Sequence, residues 1–122
     1  MKEGFLFCVC QGTCPSFAKE NAYEITNMVR KNYDVEFASI HPQLCADDGD
    51  RFLKNLLKGT EIDVLYVAGC DPVMQKKMFK DSFAGVGFKD TKLKGIDVRN
   101  KTTEEVEKIV SELIETTRKE FK

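Results

Sequence analysis

The residues of this chain best suited to chemistry are its five cysteines, Cys8, Cys10, Cys14, Cys45 and Cys70. A thiolate is both a nucleophile and a soft metal ligand, so several cysteines in one chain favour redox chemistry or metal binding. Their spacing lacks the C-x2-C pairs typical of zinc ribbons and the C-x2-C-x2-C run of bacterial ferredoxins. The pattern alone therefore leaves open an iron–sulfur cluster, a structural zinc site and a reactive thiol pair.

Composition indicates the compartment in which these thiols act. The apolar run at 5–10 is too short for a secretory signal, and no stretch approaches the roughly 18 apolar residues of a membrane span. We therefore expect a cytoplasmic protein, in which thiols stay reduced and a disulfide framework does not explain them. With 19 basic and 20 acidic residues the chain has a formal charge of -1, so we expect it to bind neither nucleic acid nor a membrane.

Strand and helix patterns alternate along the 122 residues and predict one α/β domain over 1–122. Apolar runs predict strands at 4–10, 35–40, 63–69 and 93–98. Helical spacing predicts helices from Pro15 to about residue 31, over 50–58, over 72–83 and from Thr102 onward. The alternation predicts a three-layer α/β/α fold of flavodoxin or Rossmann type. Its parallel four-stranded sheet should have the order 2-1-3-4, with the two most apolar strands at the centre.

Several residues beside the cysteines have structural interpretations. Met74 and Met78 stand at helical spacing in the third helix and are expected to face the core. Asp47 and Asp48 are expected to cap the second helix rather than form an acid and base pair. His41 is a candidate ligand or proton carrier, although a solvated loop residue is the simpler interpretation.

The predicted strands place the cysteines at one edge of the sheet. Cys8 and Cys10 close the first strand on one of its faces, and Cys14 lies in the loop after it. Cys45 follows the second strand and Cys70 ends the third. Ligands of open α/β sheets bind outside these carboxyl ends. Because Cys70 directly precedes a helix, its thiolate should also form more easily, whereas Cys8 and Cys10 have the alternative of being small buried hydrophobes.

Short segments of the chain resemble a known family. FLFCVCQG, LCADDG and VLYVAGCDPVMQKKMF, followed by GIDVRN, resemble the N-terminal region of the heterodisulfide reductase A subunit. The resemblance covers 5–100 and implies that Cys8, Cys10, Cys45 and Cys70 ligate one [4Fe-4S] cluster, with Cys14 as an extra thiol nearby. The flavin-binding and ferredoxin-like parts of that protein have no counterpart here. The resemblance therefore implies a free-standing version of the module without flavin.

Three functional hypotheses follow. The first is an iron–sulfur electron-transfer module of an oxidoreductase complex, which passes electrons to a partner redox protein such as a component of a heterodisulfide reductase. Four protein ligands leave no iron of a cluster open to substrate, so the chain alone is not expected to be catalytic. The second is a thiol–disulfide protein or sensor in which Cys70 attacks and Cys8, Cys10 or Cys14 resolves. The third is an interaction domain whose cysteines only pack.

Overall fold

A computed structural model of the chain describes residues 1–121 and contains one parallel sheet. Its strands are β1 Glu3–Cys8, β2 Phe37–His41, β3 Val64–Gly69 and β4 Leu93–Asp97. They lie in the order β2-β1-β3-β4. The predicted α/β fold, with its four-stranded parallel sheet in the order 2-1-3-4, is confirmed.

Helices cover both faces of the sheet and are α1 Ala22–Asn32, α2 Asp47–Gly59, α3 Pro72–Met78, α4 Lys80–Gly85 and α5 Thr103–Glu120. Successive side chains of a strand point to opposite faces, so the two central strands contribute to two cores. Phe5 and Tyr66 pack in the core that contains residues of α1 and α5. Leu6 and Val67 pack in the core that contains residues of α2 and α4. Burial on both faces explains why β1 and β3 are continuous apolar runs.

The first helix begins later than its sequence pattern predicts. Pro15–Phe17 form only a single 3-10 turn, and α1 starts at Ala22. Asn21 is its N-cap, and the Asn21 side chain accepts a hydrogen bond of 3.1 Å from the backbone amide of Glu24. This cap satisfies a free backbone amide of the first helical turn. A helix that began at Pro15 would lack such a bond, because Cys14, at the N-cap position there, makes no side-chain capping bond. The loop that follows Cys10 is therefore longer than expected.

The third predicted helix is two helices, α3 and α4, which meet at Phe79. Met74 and Met78 are 44% and 47% exposed, so the prediction that they face the core is wrong. Gln75 faces inward instead. A Cβ added to Gly69 would lie 2.7 Å from the Gln75 amide nitrogen, which shows how closely α3 packs on this strand.

The amino edge of the sheet, where the strands begin, contains a closed polar network. Glu3 is 2% exposed, and its carboxylate accepts hydrogen bonds from Arg118 Nε at 2.9 Å and Arg118 Nη2 at 2.7 Å. The Tyr66 hydroxyl donates to the other Glu3 oxygen at 2.5 Å. Burial and this partner raise the pKa of Tyr66, so its hydroxyl keeps the donated proton. Both carboxylate oxygens of Glu3 are thus satisfied.

None of the helices within residues 1–121 combines the length and the apolar character needed to cross a membrane.

Candidate redox site at the carboxyl edge of the sheet

Cys8 and Cys45 lie on the side of the sheet covered by α2. Cys8 is the last residue of β1 and packs beside the core of that side. The backbone amide of Leu44 lies 3.4 Å from Cys8 Sγ, in position to donate a hydrogen bond. Cys45 is exposed, and the Gln43 side-chain amide lies 3.5 Å from Cys45 Sγ. The turn between β2 and α2 therefore brings amide donors to two of the predicted ligands.

Cys10 is not part of the first strand, which corrects the predicted placement. β1 ends at Cys8, and the next residues turn through left-handed backbone at Cys10 (φ 49°), Gln11 (φ 67°) and Gly12 (φ 76°). The Gln11 amide donates to the carbonyl of Pro42 at 2.5 Å, which fixes this turn against the end of β2. Cys8 and Cys10 therefore do not share a strand face, and Cys10 packs beside the core of α1 and α5 instead.

Cys10 and Cys14 form a polarised pair of thiols on that side. Potential hydrogen-bond donors lie near the Cys14 thiol, first the amide and hydroxyl of Ser16 and then the Cys10 thiol. These donors lower the pKa of Cys14, because they stabilise its thiolate. Burial and the neighbouring Cys14 charge raise the pKa of Cys10. Cys14, expected only as an extra thiol, is therefore the cysteine whose surroundings favour ionisation.

Cys70 follows β3 as predicted, but its thiolate is not favoured. Burial raises the pKa of Cys70, and the negative charge of a Cys8 thiolate raises it further. The helix that follows has only seven residues, so its dipole is small. The expectation of an easily ionised Cys70 is wrong because loss of solvent outweighs the helix terminus.

His41 is a buried strand residue rather than a solvated loop residue. It ends β2, is 8% exposed, and its ring lies 4.9 Å from the ring of Phe52 on α2. Its Nδ1 accepts a hydrogen bond of 3.0 Å from the backbone amide of Gln43, and its Nε2 lies 3.7 Å from a carboxylate oxygen of Asp48. His41 therefore holds the turn that carries Cys45.

The two aspartates at the start of α2 do not cap it. Asp47 and Asp48 belong to the first helical turn, and the N-cap position is Ala46, which makes no side-chain capping bond. Their charges still favour the helix, since carboxylates near an N-terminus interact well with its dipole. The predicted capping role is wrong, because Asp47 and Asp48 lie one and two positions after the N-cap. Their role is instead to stabilise the helix electrostatically.

Sequence reasoning missed an ion pair at this edge. Asp97 ends β4 opposite Gly69, and its carboxylate accepts hydrogen bonds from Arg99 Nε at 3.0 Å and Arg99 Nη2 at 2.7 Å. The sequence did contain a signal for this ion pair. The fourth strand was predicted to lie beside the third, which brings residues 97–99 next to Cys70.

Sequence reasoning also missed two further polar side chains near this edge, both without a hydrogen-bond partner within residues 1–121. Gln75 is 3% exposed, and neither its amide oxygen nor its nitrogen has a hydrogen-bond partner among the described residues. The same is true of both carboxyl oxygens of Glu20. Burial, with the nearby charge of Asp97, raises the pKa of Glu20 to about 7. Unsatisfied buried groups of this kind are uncommon in folded proteins and often mark functional regions.

A cleft lies next to the thiols without containing them. It has a volume of about 920 Å³ and runs between α1 and β2, with Gln11, Phe17, Thr26 and Ile40 in its lining. None of the lining residues is a cysteine. The cysteine chemistry therefore belongs to the loops at the edge and not to this cleft.

The cysteines match an iron–sulfur cluster in chemical type. Cys8, Cys10, Cys45 and Cys70 come from three β–α connections at one edge, and soft thiolates are the ligands that such clusters require. Within residues 1–121, however, no three Cys, His, Asp or Glu side chains come close enough together to hold a metal ion. The four thiols are therefore of the right chemical type for a cluster and lie at the same edge of the sheet. In this structure, however, they are too far from one another to bind a single metal ion.

Comparison with known proteins adds one distant similarity. No protein-family model matches the chain. An iron-sulfur subunit of the CoB–CoM heterodisulfide reductase of Methanopyrus kandleri is 23% identical to it over 82 residues. The matched stretch is 67% of this chain but only 12% of that relative. The similarity indicates at most a distant relation to that protein.

Proposed function

We propose that the chain is an electron-transfer module, a single α/β domain that binds one [4Fe-4S] cluster through Cys8, Cys10, Cys45 and Cys70. The observation that carries the proposal is that these four cysteines lie at one edge of a parallel sheet, Cys8 at the end of β1 and the other three on the loops that follow β1, β2 and β3. The distant similarity to an iron-sulfur protein supports it. The cluster would supply one-electron transfer.

The surroundings of the thiols suit such a cluster. The Leu44 amide lies 3.4 Å from Cys8 Sγ and the Gln43 side-chain amide 3.5 Å from Cys45 Sγ. Amide donors to the sulfurs stabilise the negative charge that an iron–sulfur centre gains on reduction. Without metal, burial raises the pKa of Cys10 and of Cys70, and the charge of neighbouring thiolates raises it further. Since metal binding displaces protons and is coupled to local folding, we expect the side chains to close together as a cluster forms.

The partner in this proposal is a second redox protein, of which a component of a heterodisulfide reductase is one example. Four protein ligands leave no iron of the cluster open to a substrate, so the chain would carry electrons rather than catalyse a reaction alone. The proposal places the chain in the cytoplasm, where thiols remain reduced and available as ligands.

Iron and acid-labile sulfide content, measured on protein purified without oxygen, tests the proposal. We expect about four irons and four sulfides per chain, with a broad visible absorption that bleaches on reduction. Serine substitution at each proposed ligand should lower the iron content, whereas Cys14→Ser serves as a matched control and should leave it unchanged. Absence of iron after anaerobic reconstitution, or four serine variants with unchanged iron, would refute the cluster. Zinc in its place would indicate a structural site.

The polarised pair of Cys10 and Cys14 favours a second candidate, a thiol–disulfide protein. In this case the Cys14 thiolate attacks a disulfide of a partner protein and releases one partner thiolate. Cys10, once deprotonated, then attacks the Cys14 sulfur, which closes a Cys10–Cys14 disulfide and releases the second partner thiol. Mass spectrometry after brief alkylation of metal-free protein distinguishes this candidate, because Cys14 should react first and Cys14→Ser should abolish disulfide formation. Equal reaction at Cys14 and Cys70 would count against it.

A further inference from the structure

A charged side chain is held in place at the thiol edge. Asp97 holds Arg99 through three hydrogen bonds, from Nε at 3.0 Å, from Nη2 at 2.7 Å and from the Arg99 backbone amide at 3.0 Å. Such a fork restricts a long side chain more than a single contact would. The arginine is 41% exposed, so the fork, rather than burial, fixes its position.

The sheet places Arg99 next to the cysteines. Gly69 is the register partner of Asp97, and the Val98 amide donates to the Gly69 carbonyl at 2.9 Å. Cys70 follows Gly69 and Arg99 follows Val98, so the two residues lie on adjacent segments just beyond these strands. The Asn100 amide donates to the Ser16 carbonyl at 2.6 Å, which joins the loop of Arg99 to the loop of Cys14. Arg99 thus stands between two of the thiol-bearing loops.

We propose that Arg99, positioned by Asp97, raises the reduction potential of the redox centre at this edge. Reduction adds negative charge to the centre, and a fixed cation nearby stabilises the reduced form more than the oxidised form. The Asp97 carboxylate contacts the guanidinium through two hydrogen bonds, and the negative charge of Asp71 also acts on it from farther away. Loss of Arg99 would leave the negative charges of Asp97 and Asp71 uncompensated near the redox centre, and this would lower its reduction potential further. The inference rests on the proposed redox function.

The midpoint potential of the reconstituted protein tests this role. Arg99→Gln should make the potential more negative by the equivalent of about a tenfold change in equilibrium constant, which is 59 mV for a one-electron couple. The shift should shrink at high salt, because solvent ions screen a partly exposed charge. Arg99→Lys keeps the charge and should recover most of the potential.

Arg30→Gln is the matched control. Arg30 lies in the last turn of α1, away from the cysteine loops, and its side chain contacts Asn27. Its removal deletes the same charge and should leave the potential unchanged. An unchanged potential in Arg99→Gln would overturn the proposal. So would an equal shift in Arg99→Lys, because the fork and not the charge would then be responsible. Circular dichroism melts on each variant check that the fold is retained.

Iron content on the same samples separates this inference from the proposed function. If the wild-type protein holds a cluster and the potentials do not follow the stated order, only the role of Arg99 fails. If no cluster forms, the cluster proposal fails, and the same variants are titrated against glutathione buffers to obtain the potential of the Cys10–Cys14 pair. In that titration Arg99→Gln should again have a more negative potential than wild type, and Arg99→Lys should recover most of the difference. A tenfold change in equilibrium constant corresponds to 29.6 mV for a two-electron couple. Equal potentials of wild type and Arg99→Gln in that titration would also overturn the role of Arg99.

Discussion

The two edges of the sheet differ in how their buried polar groups are paired. At the amino edge, the carboxylate of Glu3 is 2% exposed and every oxygen has a partner, supplied by Arg118 and Tyr66. Near the carboxyl edge, Gln75 and Glu20 have buried polar atoms without partners among the described residues. Five free thiols lie there as well.

This difference separates a part of the molecule that stabilises the fold from a part that tolerates strain. A fully paired network contributes to the fold, since removal of one partner leaves a charge without compensation. The carboxyl edge contains unpaired polar groups, residues with left-handed backbone and thiols without crosslinks. Such features add little to the stability of the fold, and they occur where binding of another molecule requires them. The carboxyl edge is thus the part of the molecule at which we propose that a cofactor or a partner binds.

Arg118→Met should produce the largest loss of stability, because it leaves the buried Glu3 carboxylate without its cation. We expect a decrease of about 3 kcal/mol in the free energy of unfolding, measured by urea denaturation. Cys45→Ser, an exposed change at the other edge, should cost less than about 0.5 kcal/mol. Similar losses in the two variants would show that the edges do not differ in the way described.

Gly49→Ala should give the next largest effect and tests whether the carboxyl edge also depends on exact backbone placement. A Cβ at this position would meet the backbone carbonyls of Gln43 and Leu44, in the turn that carries Cys45. We expect a loss of about 2 kcal/mol together with lower iron retention after reconstitution. Gly59→Ala is the control, because nothing lies within 4 Å of its added Cβ. A stable Gly49→Ala protein would show that this turn adapts freely.

Much of the fold could be predicted from the sequence because its decisive signals are local. The continuous apolar runs of β1 and β3 follow from burial on both faces, and they alone place these strands at the centre of the sheet. Asp71 and Pro72 likewise mark the start of α3, where the Asp71 side chain accepts a hydrogen bond of 2.9 Å from the Val73 amide. The strand ends then bring Cys45 and Cys70 to one edge.

The errors arise where contacts between distant segments decide the outcome. α3 packs over Gly69 and Gly95, and this close approach turns Gln75 inward and exposes Met74. Helical periodicity carries no information on that choice. The left-handed turn at Cys10 depends on the hydrogen bond between Gln11 and Pro42, which joins segments far apart in sequence. Neither feature has a local pattern from which it could be predicted.

Gln75→Met should stabilise the protein, in contrast to the substitutions above. It replaces an amide that has no hydrogen-bond partner among the described residues with an apolar side chain of similar length in the same buried position. We expect a gain of about 1 kcal/mol in urea denaturation, since an unsatisfied buried amide carries a desolvation penalty. A loss of stability would mean that the amide is paired in solution, and the contrast between the edges would then weaken.

Glu20→Gln should have the smallest effect, and that effect depends on pH. Burial raises the folded-state pKa of Glu20 from 4.5 to about 7, so ionisation is easier in the unfolded chain. Stability from this group is therefore full below about pH 4.5, declines as the pH rises towards 7, and stays low above it.

The loss should be less than about 1 kcal/mol, because Glu20 as a whole residue is only partly buried and nearby solvent screens its charge. Glu20→Gln has no proton to lose, so its unfolding free energy should lack this decline between pH 4.5 and 7. Glu24→Gln is the control, as Glu24 is exposed on α1. If wild type and Glu20→Gln show the same pH dependence, the carboxyl of Glu20 is solvated or paired. The unsatisfied groups near the carboxyl edge would then reduce to Gln75 alone.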